Sequence, residues 1–480
     1  GKTVLAALDY LGLEKQLGRK PKLLFIAHRK EILNQALSTY RAVLKDKDFG
    51  EPYVGGSIPG HWKHVFASVQ SLTSRDIKTF AKESFDIVVI DEFHHATAET
   101  YRDIINHLEP TELLGLTATP ERSDGTRVQD EFFDGRIASE LRLWDAMDQG
   151  LLTPFEYFGI GEGKDVVDYS SIDWASGKYQ TKALSAAVTG NELRDRLVIR
   201  ELEKHVGNPA EMKALVFCVD QQHAEYVAEM LSNKAGLKTA CVTAKTTALD
   251  REKSIEHLRD GKIQVLTSVD VFNEGVDIPE VDTVIMLRPT ESSVVFIQQL
   301  GRGLRLSAGK SAVTVLDFIG LHRADFRIDK KYSAFLGQGR KELKEQIKQG
   351  FPQLPSGVMM SLDSVAQDFI LRNLENQLVL GVKQLAAELR TAGSTNLKSF
   401  LEKADLKLDE VITKVSWHDL CRSAGIPGYE DLDSQENFLI GRFKRLAHID
   451  DSARIEGFKN LMLNPFGTWE DLTDYDKRMV

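Results

Sequence analysis

The sequence predicts an α/β protein in which two tandem parallel-sheet units are followed by a mainly helical C-terminal region. Three observations predict it. Short apolar runs recur at residues 23–27, 87–91, 113–117, 214–219, 239–242, 263–267, 283–287 and 313–318. Each is continuous rather than alternating, the pattern of strands buried on both faces of a parallel sheet. The segments between them have helical period, with Ile32, Leu33, Leu37, Tyr40 and Leu44 on one stripe and Ala224, Val227, Ala228 and Leu231 on another. The runs also fall into two blocks, three before residue 120 and five after residue 210, so the strand–helix alternation occurs twice.

These blocks divide the chain into a first unit over 1–150, a connector over 151–210, a second unit over 211–335 and a helical region over 336–480. The connector is less regular and carries Gly159, Gly161, Gly163, Gly177 and Gly190. Beyond residue 335 the strand signal fades, and 362–376, 383–391, 397–404, 408–415, 435–447 and 452–463 have helical patterning. This last region is expected to be incomplete. Hydrophobic residues make up 42% and charged residues 28%, an ordinary globular balance. No run reaches the roughly 18 apolar residues that a membrane span needs. Cys218, Cys241 and Cys421 are too scattered for a disulfide framework or a zinc site, which points to a reducing compartment, read as cytoplasmic. The net charge of −10 argues against coating nucleic acid by sheer basicity but leaves room for a local basic groove.

The candidate chemistry lies at the ends of the apolar runs. Gly1-Lys2-Thr3 opens into an apolar stretch, as the last residues of a phosphate loop do where backbone N–H groups, a lysine and a hydroxyl meet phosphate and Mg²⁺ at a helix start. An arbitrary start would give the same tripeptide; as a phosphate loop it would be truncated at its upstream side. The run 87–91 ends in Asp91-Glu92. Asp91 is placed to hold Mg²⁺ and Glu92 to act as a general base, although the pair could equally cap the next helix. Thr117-Ala118-Thr119-Pro120 closes another run and could be an ordinary turn. Finally, Gln298-Gln299-Leu300-Gly301-Arg302-Gly303-Leu304-Arg305 places two arginines three apart, on one face if helical. Their planar guanidinium groups suit the spread charge of a transferring phosphoryl group. Gly301 and Gly303 argue for close backbone approach rather than a solvated basic helix.

The ordered set Gly-Lys-Thr, Asp-Glu-Phe-His, Thr-Ala-Thr and Gln-x-x-Gly-Arg-x-x-Arg resembles superfamily 2 DExH helicases. Their intermediate motifs are matched by Ala27-His28-Arg29, Ser68-Val69-Gln70-Ser71, Leu215-Val216-Phe217-Cys218 and Thr267-Ser268 through Asn273-Glu274-Gly275-Val276-Asp277. The set spans residues 1–305. Asp91 to Ala96, Leu141 to Asp145, Phe272 to Gly275 and Leu316 to Gly320 narrow the likeness. They resemble bacterial helicases with a phospholipase-D-like nuclease domain in front and a domain of uncharacterised function behind.

The resemblance implies two RecA-like domains that hydrolyse ATP with Mg²⁺ between them. It implies that Gly1, Lys2 and Thr3 hold phosphate, Thr3 and Asp91 the metal, and that Glu92 is the base. His94 would relay nucleotide state to Thr117 and Thr119. Gln298, Arg302 and Arg305 would meet the γ-phosphate, while Gly275 and Asp277 approach the ribose. Ala27, His28, Arg29, Ser68, Gln70, Phe217, Thr267 and Ser268 would line a nucleic-acid path, with DNA the expected partner. The expected function is an ATP-dependent DNA helicase or translocase. A nucleotide-switched DNA clamp and the motor part of a nuclease or defence system are the alternatives.

Overall fold

The computed structural model describes residues 2–74, 77–93, 99–117, 132–175, 178–269, 272, 278–323, 326–336, 340–378, 381–393, 396–404, 406 and 408–431. They fall into two compact units, Gly1–Gln377 and Leu378–Val480. The larger unit contains both sheets.

The first sheet has the order β2-β3-β1-β4-β5, with every pairing parallel. Its strands are β1 (Leu23–Ala27), β2 (Glu51–Tyr53), β3 (His64–Ser68), β4 (Ile87–Asp91) and β5 (Glu112–Leu116). Helices α1 (Lys2–Leu17), α2 (Lys30–Leu44), α3 (Val69–Ser74) and α4 (Glu99–His107) accompany them. Alternate strand residues enter two different cores. Leu23, Phe25 and Ala27 join Ala6, Ala7, Tyr10, Leu33 and Tyr40 on one face. Leu24 and Ile26 join Val88, Ile90, Tyr101 and Ile104 on the other. Burial on both faces is the reason these strands read as unbroken apolar runs.

The second sheet has the order β10-β11-β9-β12-β13-β6-β14, again all parallel. Its members are β6 (Phe155–Glu162), β9 (Ala214–Phe217), β10 (Thr239–Val242), β11 (Val265–Ser268), β12 (Thr283–Met286), β13 (Val313–Gly320) and β14 (Met359–Leu362). A separate antiparallel pair is formed by β7 (Trp174–Ala175) and β8 (Lys178–Tyr179). The helices of this half are α5 (Leu143–Asp148), α6 (Thr181–Val188), α7 (Glu192–His205), α8 (Gln221–Ala235), α9 (Ala248–Arg259), α10 (Ser293–Gly303), α11 (Ile328–Leu336), α12 (Arg340–Gln349) and α13 (Ser364–Leu378).

The boundaries differ from those the sequence suggests. The segment 151–210, read as a connector, contains β6, a strand of the second sheet. Strand β6 pairs with β13 along its whole length and with β14 on its other side. It escapes notice because Gly159 and Gly161 interrupt its apolar character. A Cβ on Gly159 would stand 2.3 Å from Leu362 Cδ2, and one on Gly161 would stand 2.4 Å from Val365 Cβ. The glycines let the chain around β14 and α13 pass close by. Helix α5 also belongs to the second half, since Met147 is in its core and Trp144 stacks on Phe155 at 6.1 Å. The second α/β layer therefore extends past residue 335 through β14 and α13.

In the smaller unit, α14 (Val382–Ala392), α15 (Leu397–Ala404), α16 (Leu408–Ile412) and α17 (Trp417–Ala424) enclose Leu385, Leu389, Phe400, Leu420 and Cys421. Ser416 caps α17 by accepting from Asp419 N at 3.0 Å, and Gly425 closes it in the left-handed region at φ 73°. The helical patterns expected at 435–447 and 452–463 lie outside the described residues.

Candidate active site

The carboxyl ends of parallel strands gather side chains from distant parts of a sequence. In the first sheet Ala27 lies opposite Ser68, Ile26 opposite Ile90, and Asp91 opposite Leu116. Ala27, Ser68, Asp91 and Thr117 therefore reach one edge. Lys2 lies there too, in the first turn of α1. Its Nζ is 3.3 Å from Glu92 Oε1 and 4.0 Å from Asp91 Oδ1. One ammonium thus faces two carboxylates at this corner.

Asp91 is 7% exposed. Burial raises its carboxyl above the ordinary carboxylate range. Lys2 opposes the shift, Glu92 adds to it, and His28 gives a smaller opposing contribution. Glu92 occupies the left-handed region at φ 50°, uncommon for a non-glycine residue, and its N–H donates to Asp91 Oδ1 at 2.9 Å. That backbone conformation sends two adjacent carboxylates toward the same ammonium. Phe93 anchors the turn, buried against Phe132 and Phe133 at 5.4 and 5.0 Å.

The second sheet repeats the arrangement. Phe217 lies opposite Ser268 on β11 and Met286 on β12. Helix α10 starts at Ser292, whose Oγ accepts from Val295 N at 3.3 Å, and ends at Gly303. Gln298 is 7% exposed, and its Nε2 is buried with no hydrogen-bond partner among the described residues. Arg302 Nε donates to Gln298 O at 3.3 Å. Arg305 lies just past the helix end, so the two arginines do not share a helical face as the spacing suggested. Of the two glycines, only Gly303 makes a close approach: a Cβ there would stand 2.7 Å from Val313 Cγ1, whereas Gly301 faces open space.

Several residues expected on a nucleic-acid path have little or no accessible side chain. Ala27, Phe217 and Thr267 are fully buried, and Thr267 Oγ1 donates to Ala224 O at 2.8 Å. Ser68 is buried too, and its Oγ accepts from Ser71 N at 3.1 Å at the start of α3. Ser268 is likewise buried. Gln70 is exposed and Arg29 partly so. His28 is brought within electrostatic reach of Asp91. Gly1, His94, Thr119, Gly275 and Asp277 lie outside the described residues. An ion pair the sequence did not reveal, Arg251 Nη1 on α9 to Glu31 Oε1 on α2 at 3.1 Å, joins the two halves. No period or motif marks either partner.

Among the described residues, no helix is long and apolar enough to cross a membrane. Residues 1–122 match the family described as Type III restriction enzyme, res subunit, and residues 197–307 match the Helicase conserved C-terminal domain. IRC3 of Saccharomyces cerevisiae, whose name marks it a candidate ATP-dependent helicase, is 29% identical over 307 residues, 62% of this chain and 43% of that protein. The Type I restriction enzyme EcoAI endonuclease subunit of Escherichia coli is 26% identical over 66% of this chain and 42% of its own. The chain thus spans less than half the length of these relatives. Among solved structures, the ATP-dependent Type ISP restriction-modification enzyme LlaBIII superposes with a TM-score of 0.56 at 16% identity, over 78% of this chain and 30% of the enzyme, a likeness of fold. With both halves matched in order, the chain is similar to superfamily 2 helicases, including subunits of type I and type III restriction enzymes.

Proposed function

We propose that this chain is an ATP-hydrolysing motor acting on DNA. The observation that carries the reading is the corner where Lys2, at the start of α1, meets the adjacent carboxylates Asp91 and Glu92 at the end of β4. A lysine ammonium suits terminal phosphates. A buried carboxylate at a strand end, with the Thr3 hydroxyl on the neighbouring helix turn, is a donor set of the hard-oxygen kind that Mg²⁺ takes. When bound, that ion would neutralise charge on the phosphates. Glu92 then takes a proton from the water that attacks the γ-phosphorus as the β–γ bridging bond breaks. The buried carboxamide of Gln298 and the guanidinium groups of Arg302 and Arg305 would supply further positive and donor groups beside Lys2.

DNA as partner is supported by relatives such as the DNA 3'-5' translocase XPB2 of Sulfurisphaera tokodaii, 24% identical over 59% of this chain. Arg29 and Gln70, with accessible side chains at the first sheet's edge, are proposed to contact its phosphates. Contacts at Ala27, Phe217 and Thr267 would run through backbone groups. The match to a restriction-enzyme res subunit favours a second, narrower reading, a motor that serves a nuclease.

The test is ATP turnover by the full-length protein with and without duplex DNA over a range of salt. DNA is expected to stimulate turnover, and salt to remove the stimulation steeply as phosphate contacts are lost. Glu92→Gln is expected to keep ATP binding and lower turnover by about 10²–10⁴. Near-parental turnover in Glu92→Gln overturns its role as base, and absence of any DNA response overturns the motor. Translocation along the stimulating DNA separates a motor from a nucleotide-switched clamp.

A further inference from the structure

The arginines proposed to meet the γ-phosphate sit at a helix end, where the last carbonyl groups have no partner within the helix. Here three successive carbonyls at the end of α10 are each held from outside it. Gly303 O accepts from Lys310 Nζ at 2.9 Å, Leu304 O from Thr153 N at 2.8 Å, and Arg305 O from Thr153 Oγ1 at 2.9 Å. Both donors come from second-half segments outside the helix. Thr153 is 1% exposed and leads into β6; Pro154, which follows it, biases Thr153 to extended backbone. Pro154 O in turn accepts from Val313 N at 2.9 Å, which ties this segment to β13.

Lys310 does more than close a helix. Its Nζ also donates to Pro279 O at 2.5 Å and Val281 O at 3.1 Å. One ammonium thus joins the end of α10 to the segment that follows Asp277. Burial pulls this ammonium down to about 8, while Asp282 and Glu280 oppose the shift. A half-buried ammonium with three backbone carbonyl partners is a built feature rather than a chance surface contact.

We infer that Thr153 and Lys310 are positioning residues that fix the backbone carrying Arg302 and Arg305, and so set where those guanidinium groups stand during phosphoryl transfer. The inference rests on the motor reading above. Its physical basis is that catalysis by oriented charge is steep in geometry: a displacement of about 1 Å can cost about 10²-fold in rate. Thr153 is the sharper probe, because its hydroxyl contacts the backbone of Arg305 itself. Thr153→Val keeps shape and the N–H bond but removes the hydroxyl donor, whereas Thr153→Ser keeps the donor.

The experiment measures single-turnover ATP hydrolysis, nucleotide affinity and thermal unfolding for the full-length parent, Thr153→Val, Thr153→Ser, Arg305→Ala and the double variant Thr153→Val/Arg305→Ala. Thr153→Val is expected to slow hydrolysis by about 10- to 100-fold with little change in nucleotide affinity. Thr153→Ser should stay near the parent rate. The double variant should be no slower than Arg305→Ala, since a residue that acts through another adds nothing once that other is gone. Parental hydrolysis in Thr153→Val, or losses that multiply in the double variant, overturns the inference. If Thr153→Val does not fold, Lys310→Met takes its place, with the double variant made with Arg302→Ala and the same two outcomes. An Arg305→Ala protein as fast as the parent is a different failure, because it removes the arginine role on which the motor reading depends.

Discussion

Glycines 301 and 303 are two residues apart on one helix, yet the structure gives them opposite meanings. Gly303 lies against Val313 and Val284, with hypothetical Cβ distances of 2.7 and 3.1 Å, while nothing lies within 4 Å of a Cβ at Gly301. Gly303→Ala should therefore destabilise the protein by about 1–3 kcal/mol through overpacking. Gly301→Ala should leave stability unchanged or raise it by up to about 1 kcal/mol through helix propensity. Denaturant midpoints of the two variants check both, and equal shifts would refute the packing argument. In the sequence the two glycines look alike, because the difference is made by a strand ten residues downstream. Glu92 is similar: its position after an apolar run was legible, but its left-handed backbone, which brings it to Lys2, was not. The residues named for a nucleic-acid path show the converse. Their motifs lie at or beside strand ends, yet Phe217 and Thr267 are fully buried.

At the scale of elements, legibility followed burial. Strands such as β1, β4, β9 and β12 stand between two packed layers and show as apolar runs. Strand β6 is also internal, but its Gly159 and Gly161 admit Leu362 and Val365, and Glu162 is buried against Arg194 with Nε–Oε1 of 2.6 Å. Tertiary contacts, invisible locally, replaced the apolar signal with glycine and charge. A second tertiary device fixes α1 to the first sheet. Arg19 donates to both Asp86 oxygens at 2.8 and 2.6 Å, and Lys22 N donates to Asp86 Oδ2 at 2.6 Å. Arg19 beside it, with the Lys22 N–H, holds the Asp86 carboxyl down at about 2. Because the folded value lies below the unfolded one of about 4, the unfolded chain takes up the proton first as pH falls. The contribution is present above about pH 4 and is lost as pH falls toward about 2. Asp86→Asn should thus be less stable than the parent at neutral pH, with the gap closing in acid. A gap independent of pH between 7 and 3 in urea midpoints would show that the Asp86 charge is not what holds α1.

At the scale of the whole molecule, the proposed chemistry is divided. Lys2, Asp91 and Glu92 belong to the first sheet, whereas Gln298, Arg302 and Arg305 belong to the second. The ion pair from Arg251 to Glu31 joins the halves, but Glu31 is 46% exposed in its side chain. Such a pair contributes about 0–1 kcal/mol and is screened by salt. In the proposed motor this pair would not lock the halves, and nucleotide binding and release would govern their closure on DNA. In the proposed mechanism both halves act on one ATP. Single-turnover hydrolysis together with nucleotide binding, for Arg302→Ala in the full-length protein, tests it most directly. Hydrolysis is expected to fall by about 10³ or more while ATP binding changes far less, because the guanidinium would act chiefly on the transition state. Hydrolysis persisting near the parent rate would contradict it and leave the first half as the whole of the catalytic site.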